Sequence, residues 1–263
     1  MKHVVMFSGG VGSWAAAKRV VAEHGAADVT LLFADTLIED EDLYRFLDEA
    51  AANVGAPLVR VADGRTPWEL FNERNFISNS RIAHCSEVLK QATSRRWLRE
   101  NCDPHDTMIY LGIDWSEEHR YHRAAKHWKP WEVKAPLCEP PYVDKDDLFA
   151  ALDEAGIPVP RLYHMGFPHN NCGGFCVRAG HAHFKRLLEK MPERFAYHEN
   201  QEEAMRARLA RDVAILRDRR EGTSKPLPLR VLRERVEAQQ TIDEFDWGGC
   251  GCFLDDSDQD EEV

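Results

Sequence analysis

Three groups of residues in this 263-residue chain have types and spacing suited to chemistry. The first is Ser8-Gly9-Gly10-Val11-Gly12-Ser13, which follows an apolar run at residues 2–7 and precedes Trp14, Ala17, Val20 and Val21 at helical spacing. A strand, a glycine turn and a helix start make an anion site, because the first N–H groups of a helix lack intrahelical partners and its dipole favours negative charge there. Ser8 and Ser13 add hydroxyl donors. The loop is neither a Gly-Lys-Ser/Thr phosphate loop nor a Gly-x-Gly-x-x-Gly dinucleotide turn. The plain alternative is a tight strand-to-helix connection.

The second group is the cysteines. Cys172-Gly173-Gly174-Phe175-Cys176 and Cys250-Gly251-Cys252 pair thiols with glycines that let a backbone curl, and Phe175, Trp247 and Phe253 stand nearby to exclude water. Four thiolates suit a [4Fe-4S] cluster or structural zinc, although the spacing departs from common zinc-ribbon patterns. A redox dithiol is the third reading. Seven cysteines are an odd number for a disulfide framework, and clustered cysteines fit a reducing compartment. Cys102 and Cys138 read as ordinary cysteines, and His164, His169, His181 and His183 as hydrogen-bonded structural residues. The third group lies at the ends of apolar runs: Asp35-Thr36, and Gly112-Ile113-Asp114.

The elements that must position these groups follow from hydrophobic periodicity. Strands are expected at 2–7, 28–34, 58–61 and 107–112, and helices at 13–24, 40–54, 87–100 and 117–128. Alternation of this kind predicts an α/β fold, an open parallel sheet flanked by helices, with ligands at the carboxyl ends of the strands. All three glycine or acidic turns fall at such ends. After Pro136 the character changes, and helices are expected at 144–155, 178–190 and 193–220. The predicted organisation is a nucleotide-binding domain at 1–137, a mainly helical cysteine-containing region at 138–254, and an acidic disordered tail at 255–263.

A formal net charge of −11 argues against general nucleic-acid affinity, yet residues 206–235 are arginine-rich. They read as a solvated helix face or as a mostly helical surface for a phosphate-rich partner. No apolar run approaches the ~20 residues that span a bilayer, and no leader is visible, so a cytoplasmic protein without a membrane partner is expected.

The glycine loop resembles the Ser-Gly-Gly-x-Asp-Ser pyrophosphate motif of the PP-loop ATP pyrophosphatases and their relatives, the phosphoadenosine phosphosulfate (PAPS) reductases, in the adenine nucleotide alpha hydrolase superfamily. Gly12 stands where the motif has Asp. Phe33-Ala34-Asp35-Thr36 is similar to the reductase branch's second-strand signature. Cys85 with Lys90, Gly112-Ile113-Asp114 with Glu117 and Arg120, and the stretch from Pro136 to Phe167 resemble its later segments in the same order. The match runs from about Val4 to Cys176. The resemblance implies adenine-nucleotide binding by Ser8, Gly9, Gly10, Gly12, Ser13, Phe33, Asp35, Thr36 and Gly112, and catalytic roles for Asp35, Cys85, Lys90 and Arg120.

Each of these has a plainer reading: a helix cap for Asp35, a solvated lysine for Lys90, a surface ion pair for Arg120. Relatives that carry [4Fe-4S] clusters strengthen the cluster reading of Cys172, Cys176, Cys250 and Cys252, with Cys85 a potential replacement ligand. The implied activity is adenylation of a substrate by ATP and Mg2+, giving AMP and pyrophosphate, for sulfur transfer to an acceptor such as a nucleic acid, with a sulfur-donor protein as partner. Reduction of adenylyl sulfate (APS) or PAPS is the alternative, although the reductases' C-terminal Glu-Cys-Gly is echoed only loosely by Gly249-Cys250-Gly251-Cys252. A nucleotide-binding module without turnover is the third reading, which Gly12 favours.

Overall fold

A computed structural model describes residues 1–219 and 223–249 of the chain. Its centre is a parallel five-stranded sheet. The strands are β1 (Lys2–Met6), β2 (Val29–Asp35), β3 (Leu58–Ala62), β4 (Thr107–Tyr110) and β5 (Glu132–Lys134), in the order β3-β2-β1-β4-β5. β1 pairs with β2 from His3 opposite Val29 and with β4 from Lys2 opposite Thr107. Runs such as Val4-Val5-Met6 and Leu31-Leu32-Phe33 are buried on both faces, as a sheet covered on both sides requires.

Helices α1 (Val11–His24) and α2 (Glu41–Val54) cover one face, where Phe7, Trp14, Phe33, Phe46 and Leu47 share a core. The helix α3 (Pro67–Arg74) starts at Thr66 with a reciprocal cap to Glu69 and Pro at its first turn. A π-helix (Cys85–Ala92) runs on into α4 (Thr93–Asn101), and α5 (Glu118–His127) precedes β5. Leu98, Trp128 and Trp131 build the core on the opposite face of the sheet. The open parallel sheet expected from the alternation is therefore present, with a helical, cysteine-containing C-terminal region. The short edge strand β5 and helix α3 carry too few periodic residues to stand out in the sequence.

That C-terminal region holds α6 (Lys145–Glu154), the single turn α7 (Arg161–His164), α8 (His181–Lys190), α9 (Pro192–Leu209), the hairpin strands β6 (Leu216–Asp218) and β7 (Lys225–Leu227), and α10 (Leu229–Glu237). A further core of Trp68, Phe175, Phe184, Phe195 and Leu232 lies here. The helix expected over 193–220 stops at Leu209. Ala210 takes a left-handed conformation, and the buried run Ala214-Ile215-Leu216 turns back as a strand against β7. The arginine-rich stretch is consequently not one helical face. Arg206, Arg230, Arg233 and Arg235 are paired with carboxylates on neighbouring elements. No described helix is long and apolar enough to cross a membrane.

Candidate functional site

Strand order places β1 between β2 and β4, so the connection after β1 leaves to one side of the sheet and the strand on the other side arrives later in the chain. Such a switch point opens a crevice at the strand ends. A cavity of about 540 Å³ lies there, lined by Ser8, Gly10, Val11, Gly12 and Ser13 from one side and by Leu111 to Glu117 from the other. Gly9 adopts φ +77° and turns the chain into α1. The helix N-terminus has no side-chain cap and no acidic residue in its first turn, which leaves amide donors and the positive end of the dipole for an anion. The Ser13 hydroxyl donates to the Gly10 carbonyl at 2.8 Å and braces the loop.

Gly12 and Gly112 touch through their backbones. A Cβ on Gly12 would lie 2.8 Å from the Gly112 carbonyl oxygen, and one on Gly112 would lie 2.6 Å from the Ser13 nitrogen. The glycine that replaces the motif's Asp thus has a steric reason of its own: the helix start and the end of β4 meet too closely for any side chain.

Asp144, Lys145, Tyr163, His169 and Asn171 contribute polar groups to the rest of the wall. Next to it, the Asn170 amide donates to the Gly9 carbonyl at 2.9 Å, which fastens the loop ahead of Cys172 to the glycine loop. Arg120 lines the cavity with a largely buried side chain and pairs with Glu117 at 2.5 Å. Phe33, Asp35 and Thr36 do not line this cavity. Phe33 is in the core, and Asp35 accepts from the Tyr44 hydroxyl at 2.9 Å and the Leu37 amide at 2.8 Å. Burial, then the Asp35 carboxylate, raises the Tyr44 phenol far above its ordinary pKa.

Cys85, Lys90, Cys172 and Cys176 instead share a small apolar pocket with Thr36, Ser86 and Phe175. The Lys90 ammonium, on a side chain 7% exposed, sits 3.5 Å from the Glu39 carboxylate and 3.5 Å from the Cys172 sulfur. Glu39 also accepts from the Thr36 hydroxyl at 2.9 Å and from the Cys172 amide. This single carboxylate, which the sequence reading missed, joins the end of β2 to the cysteine loop. Its signal is weak in sequence, because an acid just before a helix reads as a cap. Cys172, Gly173 and Gly174 all have positive φ, the curl expected of the flanking glycines.

Burial drives the Cys85 thiol up to about 11, opposed by Lys90, and drives Cys172 well above the usual thiol range.

No family model matches the chain, and no curated protein does. Among solved structures, the phosphate complex of phosphoadenylyl-sulfate (PAPS) reductase from Candida auris is similar to 64% of this chain and 79% of its own, at a TM-score of 0.44 and 16% identity. A likeness at that level carries no residue role across.

Of the four cysteines expected to hold a cluster or zinc, Cys250 and Cys252 lie outside the described residues. Among the described residues, no group of three or more His, Cys, Asp or Glu side chains is placed to hold a metal ion. The three converging cysteines share their pocket with the Lys90 ammonium. His181 and His183 make structural contacts, their rings meeting the carbonyls of Arg217 and Gly174.

Proposed function

We propose that the chain is an adenine-nucleotide enzyme of the PP-loop type. One observation carries this reading: an uncapped helix N-terminus opens into the switch-point cavity, with Gly12 and Gly112 packed backbone to backbone beneath it. The first-turn amides and the Ser8 hydroxyl would hold the phosphates, and they would stabilise charge growing on a leaving pyrophosphate or phosphosulfate. The hard oxygens of Asp114 and Asp144 in the wall suit a nucleotide-bound Mg2+. When bound, Mg2+ supplies charge neutralisation at the phosphates. Arg120 would face the same negative charge from the cavity wall.

The cysteine loop is tied to the glycine loop through Asn170, which favours sulfur chemistry. Two forms of it fit. Reduction of APS or PAPS is favoured by the convergence of Cys85, Cys172 and Cys176, because two thiols closing to a disulfide would release the one electron pair and two protons that turn the sulfuryl group into sulfite. Adenylation for sulfur transfer is favoured by a basic trough that opens into the cavity. A product assay separates them. ATP turnover gives AMP and pyrophosphate, whereas the reductase gives sulfite and the free nucleotide. Calorimetry with ATP, APS and PAPS tests the shared premise, which fails if none of the three binds to the wild-type chain and Gly10→Phe changes nothing.

A further inference from the structure

A second cavity of about 450 Å³ adjoins the nucleotide cavity and shares Glu117, Arg120, Gly248 and Gly249 with it. Five separate chain segments line it. Six arginines converge there, Arg81, Arg120, Arg123, Arg178, Arg217 and Arg219, against two carboxylates, Glu117 and Asp246. In a chain of formal net charge −11 this is a strong local reversal of sign. Glu117 is engaged with Arg120, and Asp246 faces the backbone N–H of His181 at 3.5 Å. The cavity continues into a third hollow through His181, Arg217, Arg219 and Asp246, and there Phe245 stands 95% exposed. At the opposite end Trp115 and Tyr142 are 48% and 59% exposed, their rings 5.9 Å apart.

The three hollows form one trough with arginines along its middle, Phe245 lining one end, and Trp115, in ring contact with Tyr142, lining the other. A site for a small anion needs the arginines and has no use for the rings. A basic track with flanking aromatic faces matches the phosphates and the unstacked bases of a single strand.

We propose that a single-stranded nucleic-acid segment binds along this trough, its phosphates on the arginines and its bases on Phe245 and on the Trp115–Tyr142 pair, with one end entering the nucleotide cavity. The direction of entry rests on the nucleotide reading above; binding along the trough does not. Sequence reading placed the basic surface on residues 206–235, but of the described arginines in that stretch only Arg217 and Arg219 face the cavity beside Arg120, and Arg81, Arg123 and Arg178 come from elsewhere.

The test is fluorescence anisotropy of the full chain with a fluorescein-labelled short single-stranded RNA and its DNA counterpart, over a salt series. The wild type should bind at least one of them with an affinity that falls as salt rises. The double variant Arg217→Glu/Arg219→Glu should bind about tenfold or more weakly, with a shallower salt slope, and Phe245→Ala several-fold more weakly. Phe245 is almost fully exposed, so its variant folds independently of the outcome for the arginines. Calorimetric binding of ATP, APS or PAPS should be unchanged in these variants. Gly12→Asp should lose the nucleotide and keep the strand, so the two readings fail separately. The proposal is overturned if the wild type shows no salt-dependent binding, if both trough variants bind as the wild type does, or if a duplex of the same sequence binds as tightly as the single strand.

Discussion

At the scale of single residues, Gly12 shows how one position can mislead when read as a missing functional group. The carboxylate it lacks would have to hang from a Cβ 2.8 Å from the Gly112 carbonyl oxygen. That neighbour is backbone, fixed by β4 and by its register with β1. Restoring the motif with Gly12→Asp should therefore harm this protein. We expect about 1–3 kcal/mol of destabilisation from overpacking and a loss of nucleotide affinity of about tenfold or more, since the helix start would shift off the anion site. Thermal melting and calorimetry on the same preparation check both. Unchanged melting with tighter binding would show that the loop has room for the carboxylate.

Between residues and the whole, secondary structure decides which side chains meet. Cys85 and Lys90 are five positions apart, which an α-helix places about 140° apart around its axis. The segment Cys85–Ala92 is instead a π-helix, whose i→i+5 hydrogen bonds bring such residues onto one face. That is why both line the thiol pocket. The hairpin after α9 has its own anchor. The buried carboxylate of Glu202 accepts from the Ile215 amide at 2.9 Å and the Leu229 amide at 2.6 Å, and burial raises its pKa to about 7.

An unfolded chain releases that proton near 4.5, the ordinary value, so between about 4.5 and about 7 the folded state binds more protons than the unfolded one. Stability should accordingly be highest below that window and fall as pH rises through it. Glu202→Gln, which cannot titrate, should be less stable, because one of the two amides loses its acceptor, and should lose this part of the slope. Urea unfolding at a series of pH values reads the difference, and identical slopes for wild type and variant would rule the anchor out.

Across the whole molecule, Asp40 links the sheet to the C-terminal helices. Its side chain is fully buried, caps α2 through the Asp42 amide, and receives Arg161 at 2.8 and 2.9 Å and Arg194 at 3.4 Å. Arg194 also donates to the Ile38 and Glu39 carbonyls at 3.0 Å, beside the carboxylate that holds the cysteine loop. Asp40→Ala would leave two arginines facing a buried gap and α2 without its cap. Because both arginines keep some contact with water, we expect the low end of the range for a broken buried pair, about 3 kcal/mol, in urea unfolding. We also expect faster alkylation of Cys172, whose loop this clamp restrains. A variant as stable as wild type, with equally slow labelling, would count against the clamp.

The sequence by itself determined four of the five sheet strands, the glycine loop and the helix that follows it, because alternating apolar runs and glycine punctuation are local signals. It also marked Cys85, Lys90, Cys172 and Cys176 as chemically interesting, and the folded chain brings these four into one pocket. It could not show that Asp35 and Thr36 turn toward Tyr44 and the thiol side, away from the glycine loop. Nor could it show that Gly12 serves Gly112, or that arginines from four distant segments line one trough. Those facts depend on which strand neighbours which and on contacts between residues a hundred or so positions apart. Strand order and backbone approach are properties of the packed chain. No local pattern encodes them, so only the tertiary structure could decide what each marked residue faces.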